Sequence, residues 1–190
     1  MTAADRMKPD AVRAFILAGG RASRMGGRNK AFLLAQGEPI LARMLAILGP
    51  RMPVTVVSDR AADFAPFGVP VIADRTPGLG PLGGIEAGLA ATDREQNLFL
   101  ACDLPYLTWP LLAPLVERCD GFDVTLYRHQ RYEPLVAVYS RGCLPHVRAL
   151  IAQDRSRPID LLPRVSANVL PIADPFPFRN VNDLDDLSAI

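Results

Sequence analysis

The residues best suited to chemistry gather where the apolar run ending in Leu17-Ala18 stops at Gly19-Gly20. The segment beyond carries Arg21, Arg24, Arg28 and Lys30, with no acid among them. Glycine has no Cβ, so backbone N–H groups can come close to a ligand there. Arginine and lysine add positive charge and donors for phosphate oxygens. A strand emptying into such a segment suits a polyphosphate. Two common glycine motifs do not fit. The dinucleotide fingerprint needs glycine at its third place, which is Arg21 or Ala22 here. The Walker loop needs Gly-Lys-Ser/Thr, whereas Lys30 lies between Asn29 and Ala31.

Two aspartates stand at similar places, Asp74 after Val71-Ile72-Ala73 and Asp103 after Leu100-Ala101-Cys102. Open α/β sheets bind ligands beyond the carboxyl ends of their strands, so both would share an edge with the cationic loop. Mg²⁺ takes one or two carboxylates together with substrate phosphates, which makes Asp103 the candidate metal ligand; the plainer reading is a turn cap. Asp74 suits a base, a ribose, a metal or the turn at Arg75-Thr76-Pro77. The glycines of Gly78-Leu79-Gly80-Pro81-Leu82-Gly83-Gly84 lead into a helix. Their N–H groups can meet an anion or a base edge, or form only a tight turn.

Near the C-terminus, Asn182 or Asp183 suits an N-cap, while Asn180 has no such local role and could face a phosphate or a metal-bound water. His129 and His146 have no triad or metal spacing and read as surface residues. Arg128-His129-Gln130-Arg131 reads as a solvated hairpin, although basic enough to meet an anion. Cys102 adjoins Asp103, but its apolar run argues for an inert buried thiol rather than a nucleophile.

Short apolar runs alternating with helical patterns must position these groups, and that alternation predicts an α/β fold with a mostly parallel sheet. Strands are expected over Ala14–Ala18, Val54–Ser58, Val69–Ala73, Asn97–Ala101, Asp123–Arg128, Pro134–Tyr139 and Val169–Ile172. Helices are expected over Pro39–Leu48, Gly84–Ala91, Pro110–Arg118, Cys143–Ile151, Pro158–Val165 and Asp183–Ser188. Residues 1–12 read as a flexible tail and 13–190 as a single domain.

A net charge of +1 argues against bulk nucleic-acid binding, since the cations are local to one loop. No apolar stretch is long enough for a bilayer, so no membrane contact is expected. Three cysteines without CxxC or zinc spacing, behind an N-terminus unlike a signal peptide, point to reduced thiols in the cytoplasm.

Leu17-Ala18-Gly19-Gly20-x-x-Ser23-Arg24-Met25-Gly26 with Lys30 resembles the signature loop of the molybdenum cofactor guanylyltransferases. Gly80-Pro81-Leu82-Gly83-Gly84, Cys102-Asp103-Leu104-Pro105 and Asn180-Val181-Asn182 follow in that family's order. Gly20 matches the guanylyl branch, whose cytidylyl relatives carry Ala-Ala-Gly at this place. The resemblance implies a three-layer, glycosyltransferase-A-like (Rossmann-like) nucleotidyltransferase fold over 13–190. It also implies GMP transfer from GTP to the terminal phosphate of molybdenum-molybdopterin, giving the guanine dinucleotide cofactor and pyrophosphate. Leu17, Ala18, Gly19 and Gly20 would bind GTP, with Asp74 and Gly83 at the guanosine. Asp103 would hold Mg²⁺ near the α-phosphate, and Asn180 and Asn182 would lie on the molybdopterin side. Lys30, Arg24 and Mg²⁺ would neutralise the reacting phosphates. Recipient molybdoenzymes or their chaperones would be the protein partners. A relative using CTP or another phosphorylated acceptor, and a non-catalytic nucleotide or molybdopterin carrier, are the alternatives. The chain departs from the pattern at Asn29, where aspartate is frequent, at Ser58-Asp59, and at Asp183.

Overall fold

The computed structural model describes residues 11–19, 29–74 and 79–181. The chain enters through β1 (Val12–Leu17), whose almost continuous burial is that of a strand covered on both faces. It begins at Val12, inside the expected tail. A small hairpin of β2 (Leu34–Ala35) and β3 (Glu38–Pro39) precedes α1 (Ile40–Leu48). Then come β4 (Val54–Val57), β5 (Val71–Ile72), α2 (Pro81–Ala91) and β6 (Gln96–Ala101). The second half holds α3 (Trp109–Glu117), β7 (Val124–Arg128), β8 (Tyr132–Ser140), α4 (Leu144–Ile151) and β9 (Ala167–Pro171).

The main sheet has seven strands in the order β5-β4-β1-β6-β8-β7-β9. Its strands are parallel except β8, which runs against both β6 and β7. The carboxyl ends of β1, β4, β5, β6, β7 and β9 therefore lie on one edge. From β1 the chain builds outward through β4 and β5, then returns to add β6 on the other side of β1. That reversal is the topological switch point of an open α/β sheet.

Side-chain alternation makes three layers. Ala14 and Ile16 belong to a core shared with Ile40, Leu41, Met44 and Leu48 of α1 and Leu112 and Leu115 of α3. Phe15, between them in sequence, joins Leu82, Ile85 and Leu89 of α2 and Val147 and Leu150 of α4 in the opposite core. No described helix is long and apolar enough to cross a membrane.

Among the described residues the expected elements are present with adjusted ends, and three differ in kind or extent. The expected strand Val69–Ala73 contracts to the edge pair Val71–Ile72. Pro158–Arg164 forms a 3-10 helix rather than an α-helix, with Pro163 unable to donate inside it. The helix expected to begin at Gly84 begins at Pro81, after Gly80 turns the chain with φ +62°. Proline at the first helical position is favourable, and close packing on the sheet outweighs the poor helix propensity of the glycines. A Cβ on Gly88 would stand 2.6 Å from Cε1 of Phe99, whose ring stacks on Phe15 at 5.0 Å. Gly88→Ala is therefore expected to cost about 1–3 kcal/mol by overpacking, seen as a lower thermal midpoint. The expected closing helix Asp183–Ser188, with the Asp183 departure, lies outside the described residues.

Candidate active site

The edge at the switch point is built mainly by backbone contacts. The Ala18 N–H donates to the Val57 carbonyl at 3.0 Å, and the Cys102 N–H to that of Leu17 at 3.2 Å, so three strand ends are tied together. Asn29 fastens the returning end of the glycine-rich segment. Its Oδ1 accepts from the Ala31 N–H at 3.0 Å, capping the 3-10 turn Lys30–Phe32, and its Nδ2 donates to the Ala18 carbonyl at 3.0 Å. An ionised aspartate could make the first bond but not the second. Asparagine at this departure from the family pattern thus ties Lys30 back to β1.

Buried Ala31 anchors the turn, and Lys30 Nζ donates to Asp103 Oδ2 at 3.0 Å. The pair joins the turn that follows β1 to the end of β6, and its side chains are 32% and 14% exposed. It is accessible to a ligand yet less screened than a surface pair. The Asp103 backbone is also held, since its carbonyl accepts from the Val181 N–H at 2.9 Å. That bond sets Asn180, an exposed residue, beside the Asp103 strand end.

Across the switch point, Asp74 lies over the first turn of α2. A Cβ at Gly83 would come within 3.0 Å of both Asp74 carboxylate oxygens, and one at Gly84 within 3.0 Å of Leu17 Cδ2. The absence of side chains at these two glycines lets the helix approach Asp74 and the end of β1 together. Asp59, part of the Ser58-Asp59 departure, accepts from the Asp74 N–H at 3.1 Å, while the Ser58 Oγ accepts from the Arg60 N–H at 3.2 Å. Two clusters result: Lys30 with Asp103, and Asp74 with Gly83, with Leu17, Ala18 and Gly19 running between them. Gly20, Arg24 and Asn182 lie outside the described residues.

No group of three or more metal-binding side chains occurs among the described residues. A Mg²⁺ that arrives with a polyphosphate needs only one or two carboxylates, and Asp103 fits that demand. Cys102 sits beside the pair, but burial pushes its thiol up to about 12, with Asp103 adding to the effect and Lys30 opposing it. Burial likewise raises Cys119 to about 11 and Cys143 to about 12. All three thiols are expected to resist alkylation in the folded protein at about pH 8 and to react once it is unfolded. Mass spectrometry of iodoacetamide-treated samples reads the difference.

His146 is exposed, as its sequence context suggests. His129 is not. Its side chain is 9% exposed, its Nε2 lies 2.6 Å from Glu133 Oε1, and its ring stacks on Phe178 at 5.8 Å. Histidine-only spacing misses it because its partners are a carboxylate across a hairpin and a phenylalanine beyond β9. The pairing of Phe176 and Phe178 around one proline was the available signal.

Whole-chain comparisons place the fold among known proteins. Similar proteins include one from Pelotomaculum thermopropionicum named "Probable molybdenum cofactor guanylyltransferase". It is 34% identical over 90% of this chain and 88% of its own length. A "Molybdenum cofactor guanylyltransferase" from Vibrio cholerae is 30% identical over 91% of this chain and 88% of its own. In fold, the chain is similar to the crystal structure of "Molybdopterin-guanine dinucleotide biosynthesis protein A" from Archaeoglobus fulgidus. That match has TM-score 0.79 and 23% identity, over 93% of this chain and 95% of the other. Residues 14–165, which carry the Lys30–Asp103 and Asp74–Gly83 clusters, match the MobA-like NTP transferase domain, and the chain belongs to that family.

Proposed function

We propose that the protein transfers GMP from GTP to the terminal phosphate of molybdenum-molybdopterin, releasing pyrophosphate and forming the guanine dinucleotide cofactor. The observation that carries this reading is the Lys30–Asp103 pair, 3.0 Å apart at the switch point of the sheet. The whole-length relatives named as guanylyltransferases support the choice of substrates.

Leu17, Ala18, Gly19 and Gly20 bring backbone groups to the triphosphate. Asp74 and Gly83 form the guanosine end, where a carboxylate can accept from the amino and ring N–H groups of guanine. Lys30 and Arg24 place positive charge on the phosphate oxygens as negative charge shifts toward the leaving pyrophosphate. The attacking phosphate is already an anion, so no general base is needed and alignment supplies much of the rate. Mg²⁺, held by Asp103, would supply further charge neutralisation at the α-phosphate. Asn180 and Asn182 are assigned to the acceptor, whose phosphate their amides can bond.

Incubation with GTP, Mg²⁺ and molybdopterin, followed by chromatography of the product, tests this reading. The guanine dinucleotide is expected with GTP and not with CTP. Product with CTP instead would move the protein to the cytidylyl branch, and nucleotide binding without pyrophosphate release would make it a carrier.

A further inference from the structure

Asp74 stands at the end of the most weakly supported strand of the main sheet. β5 has two residues and lies at the edge, paired with β4 through Val56–Val71 and Val57–Ile72. A strand so short, with a neighbour on one side, is a poor hold for a residue that must meet a ligand. Beyond the strand the pairing continues through a different group. The Ser58 N–H donates to the Ile72 carbonyl at 2.9 Å, and the Asp74 N–H then goes to Asp59 Oδ1 at 3.1 Å. A side-chain oxygen takes the place of a further backbone carbonyl.

Asp59 is itself held on both sides along the chain. Ser58 is 2% exposed, and its Oγ accepts from the Arg60 N–H at 3.2 Å. Arg60 Nε in turn meets Asp63 Oδ2 at 2.8 Å. The turn that carries Asp59 is therefore shaped before any ligand arrives. The Asp59 side chain is exposed and belongs to neither core cluster, so it is not there for packing. On its other flank Asp74 lies close against α2, where a Cβ at Gly83 would come within 3.0 Å of both its carboxylate oxygens. The bond to Asp59 sets how the Asp74 main chain stands relative to that helix.

We propose that Asp59 is a positioning residue for recognition of the nucleotide base. It acts through Asp74, holding that residue's main chain so that the Asp74 carboxylate meets the N–H groups of guanine. An ionised acceptor makes the stronger bond to a backbone N–H, and asparagine would keep the acceptor without the charge. The proposal rests on Asp74 forming the guanosine end of the site.

The test measures GTP affinity by calorimetry with Mg²⁺ and no acceptor, and the GTP KM and kcat of the transfer. It uses the full-length protein, Asp59→Ala, Asp59→Asn, Asp74→Ala and the double alanine variant, each checked by thermal melting. Asp59→Ala is expected to weaken GTP binding about three- to tenfold, the scale of one hydrogen bond. Its GTP KM should rise in step, with kcat and the acceptor KM unmoved. Asp59→Asn should bind GTP within about twofold of wild type, since the acceptor atom remains. The decisive comparison is made in Asp74→Ala. That variant keeps the N–H that Asp59 holds but has no carboxylate to place, so removing Asp59 from it should change GTP affinity less than about twofold. Equal losses in both backgrounds overturn the proposal. So does an Asp59→Ala that binds GTP as wild type does, or an Asp59→Asn as weak as the alanine. The expected pattern of GTP affinities without guanylyl transfer would overturn the proposed function and leave the positioning role standing. Equal losses with normal transfer would do the reverse.

Discussion

Lys30→Ala is expected to lower pyrophosphate release by about a hundredfold or more at saturating GTP, the scale of losing one charged contact to a transition state. Lys30 is placed by local and distant contacts together: Asn29 caps its turn, buried Ala31 anchors it, and Asp103 orients its ammonium at 3.0 Å. The lysine side chain is 32% exposed and belongs to no core cluster, so the variant should fold. Lys30→Arg should not restore the full rate, because a planar fork cannot stand in for a compact ammonium held at one carboxylate oxygen. Stopped-flow or coupled-phosphate assays beside a melting curve separate lost chemistry from lost fold. Near-wild-type turnover in Lys30→Ala would remove the residue from the mechanism.

Asp103→Ala should nearly abolish turnover, and Asp103→Asn should fall by about a hundredfold or more. The asparagine keeps the side-chain shape, and the bond from Val181 goes to the backbone carbonyl, so the loss isolates the negative charge. If that charge holds Mg²⁺, the Asp103→Asn variant should also need more Mg²⁺ for half its maximal rate. An unchanged Mg²⁺ dependence would leave the carboxylate with the single task of orienting Lys30. A wild-type rate in either variant would refute both roles.

The sheet was readable because buried parallel strands appear as short apolar runs, and β1, β4 and β6 differ from expectation only at their ends. Asp103 was readable for the same reason, standing directly after such a run. The start of α2 was not, since the four glycines of residues 78–84 signal a loop locally while Asp74 and Leu17 need a side-chain-free first turn at Gly83 and Gly84. Strand β5 was too generous because an edge pairs on one side only. His129 was opaque because burial at a hairpin tip depends on Phe178, far along the chain. The structure also gives Asn29 a purpose that its departure from the family pattern concealed: the bond to Ala18 needs a donor.

The most direct test of the central claim follows the label from GTP during incubation with Mg²⁺ and molybdopterin. Label at the α-phosphate is expected in the dinucleotide product, and label at the γ-phosphate in pyrophosphate. Transfer of the γ-label to the acceptor, or no acceptor-dependent consumption of GTP, would contradict it.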